Sequence, residues 1–192
     1  MLFICIGVYL AMGTQIYLVY EAGYPLLNTA LPLHICGLAG LLTAPMLYTD
    51  CRALRAFYGF IGLPGALMAL LFPAVMQSGR QGLMDAAFYL LHGLVALCGW
   101  LAIFKKPRLR PRDAFLGYGV ALLLAAAVYL ANMALDTNYM FLRFAPKGTP
   151  LEWLAAHGQA AYFALLSGIA FVIVCIEATG LSFIGKSCII KS

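Results

Sequence analysis

The chain is poor in charge: 12 Lys and Arg and 7 Asp and Glu supply only 10% of its 192 residues. Apolar residues make up 64% and the mean hydropathy is +0.94. A soluble domain of this composition would lack the polar surface needed to face water, so lipid has to be the solvent. Paired cysteines are missing as well. Cys5, Cys36, Cys51, Cys98, Cys175 and Cys188 form no CxxC and no ligand spacing, and most sit inside apolar runs where a thiol behaves as a small hydrophobe. A disulfide framework is not expected. The three histidines, His34, His92 and His157, form no HxxxH or HExxH and fall in three different apolar runs, so neither a metal ion nor another cofactor is expected. No GxSxG elbow, phosphate loop or dinucleotide fingerprint occurs, and no internal repeat or low-complexity segment stands out. The N-terminus has no basic n-region and no small-residue cleavage site, so it reads as a retained helix.

What the chain has in abundance is long apolar runs. A spanning helix needs about 20 mostly apolar residues. By that ruler the candidates are 1–19, 30–48, 54–76, 85–104, 114–135 and 153–178. The expected fold is therefore all-α: a polytopic transmembrane helix bundle of about six spanning helices, forming one domain over residues 1–192. Because the chain starts inside an apolar run, an upstream helix is expected to precede it. The breaks fall at Glu21 to Asn28, Thr49 to Arg52, Gln77 to Gly82, Lys105 to Asp113 and Asp136 to Pro150, where charge, Pro and Gly gather.

Placing the N-terminus inside puts Arg52, Arg55, Lys105, Lys106, Arg108, Arg110, Arg112, Lys186 and Lys191 in the cytoplasm. Only Arg80, Arg143 and Lys147 then lie outside, so the positive-inside bias favours this orientation. The expected location is the cell membrane, multi-pass, with the basic 105–112 loop cytoplasmic. The net charge of +5 lies in loops between apolar runs, which points to lipid headgroups as partners and away from nucleic acid.

With this topology the intramembrane polar residues gather toward the outer leaflet. His34 opens the second run, His92 lies two turns into the fourth, and Asn132 and Asp136 close the fifth. Facing lipid would be costly for such groups, so they should line the bundle interior or a wet cavity. Helical spacing places Asp85, Tyr89 and His92 on one stripe and Tyr129, Asn132, Asp136 and Tyr139 on another. Cross-helix hydrogen bonding without any function would also account for these stripes. His157, close to the interface, reads as a packing residue, and Glu177 as a hydrated carboxylate near the inner end of the last run.

Cys36 has two readings. His34 and Cys36 are two residues apart, so on an ideal helix they point about 200° from each other. His34 then does not activate the thiol unless Pro32 unwinds the turn, and a base from another helix, His92 or His157, would be needed. From these residues alone an inert buried thiol and a nucleophile both stand.

Two segments carry a resemblance: Leu31-Pro32-Leu33-His34-Ile35-Cys36, and Asp136-Thr137-Asn138-Tyr139-Met140-Phe141-Leu142 followed by Pro146. Together they resemble the YwaF-like family of small bacterial integral membrane proteins, over about residue 10 to residue 178. Members of that family often run longer at the N-terminus. Eukaryotic relatives in the wider group look like membrane acyltransferases and lipid hydrolases with an intramembrane Cys or Thr nucleophile and a His from another helix. The resemblance implies His34, Cys36 and His92 as catalytic residues, with His92 matched by helix position only. Asp136, Asn138 and Tyr139 are implied on the substrate side, and Asn132 and Tyr89 join them by spacing.

Two functions follow as expectations. One is a lipid acyltransferase or hydrolase at the outer leaflet, with Cys36 as nucleophile, His92 or His34 as base, and Asn138 or Tyr139 donating to the oxyanion. The other is a non-enzymatic subunit that binds or transports a small polar solute and relies on the Gly- and Pro-rich second and third runs for movement. A chain this small would need a homo-oligomer or a membrane partner for the second role.

Overall fold

The computed structural model describes residues 1–105, 108–145 and 150–189, and every regular element among them is helical. Lys106, Pro146, Lys147 and Lys191 lie outside the described residues. The chain runs through α1 (Leu2–Glu21), a single turn α2 (Leu26–Thr29), α3 (Ile35–Tyr48), α4 (Arg52–Phe57) and α5 (Leu63–Leu71). It continues through α6 (Gln81–Phe104), α7 (Asp113–Leu135), α8 (Pro150–Ala155) and α9 (Gln159–Ile189). Among the described residues five segments are long and apolar enough to cross a membrane: Leu2–Glu21, Arg52–Leu71, Gln81–Phe104, Asp113–Leu135 and Gln159–Ser182.

The second expected span is the exception. Of residues 30–48 only the 14 from Ile35 to Tyr48 are helical. Pro32 disfavours helical backbone at the residue before it and supplies no N–H. The chain there folds into a tight turn, with Leu33 N–H donating to Leu31 O at 2.8 Å, and His34 stays extended at φ −76°, ψ 158°. At 1.5 Å per residue a 14-residue helix covers about 21 Å, less than the roughly 30 Å of a hydrocarbon core. The irregular stretch before it makes up the difference. Such backbone is tolerated at membrane depth only where protein or a cavity surrounds it.

The third span also departs from a simple helix. Pro64 has no N–H to give back to the preceding turn, and just before it the ladder widens into a π-turn over Tyr58–Gly62, with Leu63 N–H donating to Tyr58 O. The helix stops at Leu71, since Phe72 precedes Pro73 and takes up φ −127°, ψ 70°. Residues 73–76, expected as helix, are therefore loop.

The two ends of the bundle are held by different polar sets. At one end Arg52 clasps Asp113 with two bonds, Nε to Oδ1 at 2.8 Å and Nη2 to Oδ2 at 2.6 Å, and Lys105 pairs with Asp50 at 3.5 Å. Arg55, 2% exposed, donates to Ala102 O and Lys105 O, so a cation closes the C-terminus of α6 where the helix dipole favours it. At the other end Arg80 pairs with Glu21 at 2.9 Å and Arg143 with Asp136 at 2.6 Å. His34 sits at this second end and Asp50 at the first, so α3 traverses the bundle despite its length.

The core lies between α1, α3, the π-turn, α6 and the start of α7, filled by Val8, Ala39, Phe57, Phe60, Val95 and Cys98. Small residues set the spacing. A Cβ added at Gly117 would lie 2.5 Å from Ala56 O, and one at Gly99 would lie 2.7 Å from Tyr58 O, so α7 and α6 touch the third span backbone to backbone. Tyr58, wholly buried, hydrogen-bonds to Ala39 O and Thr43 Oγ1, which satisfies its hydroxyl within the core.

Candidate functional site

A cavity of about 340 Å³ opens among α1, the irregular stretch before α3, the loop after α5, and α6. His34, Cys36 and His92 all line it. Each is brought there by a different local device. Pro32 keeps His34 off the helix, so it caps α3 in extended conformation while Cys36 occupies the second helical position. The 200° separation expected of an ideal helix therefore does not apply, and both side chains reach the same space. His92 projects from the buried face of α6 at 7% exposure, its ring packed on Phe88 with centroids 4.1 Å apart.

The rest of the lining is mostly hydrocarbon: Met12, Ile16 and Val19 from α1, Val75 and Met76 from the loop, and Phe88 and Leu91 from α6. Polar additions are few. Gln15 lines the wall while its amide donates to Ala87 O at 3.2 Å, and Thr29 does so while its hydroxyl donates to Pro25 O at 2.7 Å. An apolar pocket with a few convergent polar groups is the usual form of a small-molecule site.

Sequence reasoning had not singled out Gln15, Thr29 or the 74–76 loop. A signal for Gln15 existed, since an amide within an apolar run of α1 has to face something polar or enclosed. For the loop there was none, because Pro73 to Met76 read as a continuation of the helix.

The D-x-NYMFL segment forms a second structure beside the cavity. Asn132, fully buried on α7, is its hub: Oδ1 accepts from Tyr139 N–H and Thr137 Oγ1–H at 2.8 Å each, and Nδ2 donates to Tyr139 O at 2.9 Å. Three consecutive-turn residues adopt left-handed backbone, Asp136 at φ 51°, Met140 at 56° and Phe141 at 54°, a conformation that costs of order 1–3 kcal/mol per non-glycine residue. The hub holds them there. Tyr139, 2% exposed, spans to the α2 region, its hydroxyl donating to Leu27 O at 2.8 Å and accepting from Leu31 N–H at 3.0 Å. Burial raises the Tyr139 phenol above its ordinary value, opposed in part by the Leu31 N–H, so the hydroxyl keeps its proton.

These bonds place the expected substrate-side residues. Asn132, Asp136, Asn138, Tyr139 and Tyr89 are not among the residues that line the cavity. Asn138 gives Nδ2 to Phe144 O and takes Arg143 N–H on Oδ1, so its amide is spent within the loop. Asp136 has a side chain 90% exposed and pairs with Arg143. Tyr89, three residues before His92 on α6, is 45% exposed. Phe141 is the member of the segment that does line the cavity.

The loop and the cavity meet at His34. Met140 N–H donates to His34 Nδ1 at 3.3 Å, and the rings of Tyr139 and Phe141 lie 5.3 and 5.7 Å from the imidazole centroid. On the other side His92 Nδ1 donates to Phe88 O at 2.8 Å. His157, outside the cavity, donates from Nδ1 to Trp153 O at 2.9 Å.

Comparison with known proteins gives one positive finding: a model of the TMEM164 family matches residues 1–178. No curated protein and no solved structure matches the chain.

Proposed function

Starting from the fact that the chain belongs to the TMEM164 family of membrane proteins, we propose that it is a lipid acyltransferase or lipid hydrolase that works through a thioester on Cys36. The observation that carries this reading is the cavity in which Cys36, His92 and His34 share a largely hydrocarbon wall. Acyl transfer needs a nucleophile, a base and a site from which water is largely kept out, and an apolar wall suits a lipid tail better than a polar solute. The LPLHIC and DTNYMFL segments extend the proposal to kinship with YwaF-like bacterial proteins.

The chemistry proceeds in two halves. His92 takes the Sγ proton on Nε2, Sγ forms a bond to the ester carbonyl carbon, and the carbonyl π pair moves to oxygen. The tetrahedral intermediate collapses with rupture of the C–O ester bond, and the departing alcohol takes the proton from His92. A lipid hydroxyl then attacks the thioester for transfer, or water for hydrolysis, giving its proton to His92 while the sulfur leaves and is reprotonated.

We further propose that the end bearing Asp50, Arg52, Arg55 and Lys105 faces the cytoplasm of a cell membrane, with the cavity toward the outer leaflet. Membrane lipids are the proposed partners, and a second copy or another membrane protein is a further one. The test is incubation of the purified protein in nanodiscs with a phospholipid bearing an alkyne-tagged acyl chain. A hydroxylamine-sensitive tag on the wild-type protein that is lost in Cys36→Ala is expected; a tag that persists in Cys36→Ala, or none at all on the wild type, refutes the reading.

A further inference from the structure

We infer that His34 donates a hydrogen bond from Nε2 to the oxyanion formed at Cys36, a task different from that of the base, His92; this rests on the acyl-transfer reading above. A neutral imidazole has one N–H and one lone pair, and the partner of one nitrogen fixes the state of the other. Phe88 O carries only lone pairs, so His92 Nδ1 at 2.8 Å holds its proton and Nε2 is left as a base. At His34 the partner is reversed. Met140 N–H brings a proton to Nδ1, so Nδ1 supplies the lone pair and the ring proton resides on Nε2. Two histidines lining one cavity are thus held in opposite tautomers, one able to accept a proton and one able to donate a hydrogen bond.

The surroundings of His34 are built to keep that state. An imidazolium has N–H at both nitrogens, so protonation would set Nδ1–H against Met140 N–H. Met140 presents its N–H from a left-handed backbone anchored one residue earlier by the bonds of Tyr139 to Asn132. The rings of Tyr139 and Phe141 close on the imidazole from the loop side. The other polar groups of the loop are already engaged: the Tyr139 hydroxyl with Leu27 and Leu31, the Asn138 amide with Phe144 and Arg143. That leaves His34 as the loop-facing donor among the residues lining the cavity.

The consequence is specific to the step in which charge appears on oxygen. As Sγ bonds to the carbonyl carbon the π pair moves to oxygen, and the Nε2–H of His34 stabilises that charge without giving up its proton. Removing one donor of this kind lowers acyl transfer by about 10²–10³-fold. Alkylation of the same thiol by iodoacetamide displaces iodide at a saturated carbon and forms no oxyanion, so it feels the base but not the donor.

Both reactions are measured on the full chain in nanodiscs, with ¹⁵N-histidine NMR as a readout independent of activity. His34→Ala and His34→Asn are expected to slow thioester formation with iodoacetamide alkylation of Cys36 unchanged. His34→Gln, whose amide N–H falls near the place of Nε2, is expected to recover more activity than His34→Asn, whose amide falls near Nδ1. His92→Ala is expected to slow both reactions. The spectrum should show Nε2–H at His34 and Nδ1–H at His92, assigned by the His34→Gln and His92→Ala variants. The inference is overturned if His34→Ala slows alkylation as His92→Ala does, if it leaves thioester formation unchanged, or if His34 is an Nδ1–H tautomer. Absence of any thioester on the wild type, with alkylation intact, refutes the acyl-transfer reading itself and takes the donor role with it.

Discussion

Replacing Asn132 by alanine isolates the loop that positions His34 from the bundle that carries it. Asn132 makes three side-chain hydrogen bonds, to Tyr139 N–H, Tyr139 O and Thr137 Oγ1, and is fully buried. Buried neutral hydrogen bonds contribute about 1 kcal/mol each, so the three together come to about 3 kcal/mol. Because the partners belong to one loop, the loss falls on local opening of residues 136–143 and not on global unfolding. A change of that size is roughly a hundredfold in the opening equilibrium. Hydrogen exchange followed by mass spectrometry reads it directly: amides of the 136–143 segment should exchange about a hundredfold faster in Asn132→Ala. Amides within Gln81–Phe104 should keep their wild-type rates. Acyl transfer should fall alongside, since the Met140 N–H that orients His34 is no longer anchored. Unchanged exchange in the segment, or equal loss of protection throughout α6, would refute the hub assignment.

Three further outcomes are expected. Tyr139→Phe removes two bonds, to Leu27 O and Leu31 N–H, and should cost about 1–2 kcal/mol, seen as faster exchange at Leu31 beside the cavity wall. Gly117→Val puts a Cβ 2.5 Å from Ala56 O, a backbone atom that cannot swing aside, and should destabilise by about 1–3 kcal/mol or more in detergent unfolding; a wild-type midpoint would contradict the close approach of α7 to α4. In intact cells a membrane-impermeant maleimide should label Asn28→Cys but not Cys51, both exposed and at opposite ends of the bundle, and the reverse pattern would invert the proposed orientation.

Composition and run length were sufficient for the solvent and the class of fold. With 64% apolar residues gathered into continuous runs of about 20 and charge confined to short breaks, the pattern is that of membrane helices and not of alternating barrel strands, and five of the six expected runs have counterparts of spanning length. The sixth, residues 30–48, was placed in the right part of the chain, but hydropathy does not register that Pro32 breaks the helix. That local break is what lets His34 and Cys36 reach one cavity, against the helical spacing that separates them. The expectation that polar stripes converge also had a limit of its own. Periodicity states which residues share a face of one helix, yet whether a polar group meets a ligand or another part of the chain depends on the neighbours it acquires on folding. Asn132, Asn138 and Tyr139 find theirs within residues 136–144, in α2 and at Leu31, so their hydrogen bonds are internal. The states of the two histidines belong wholly to this level. Imidazole chemistry is the same at both positions, and only the carbonyl of Phe88 at one and the amide of Met140 at the other, more than a hundred residues from His34 along the chain, make them different.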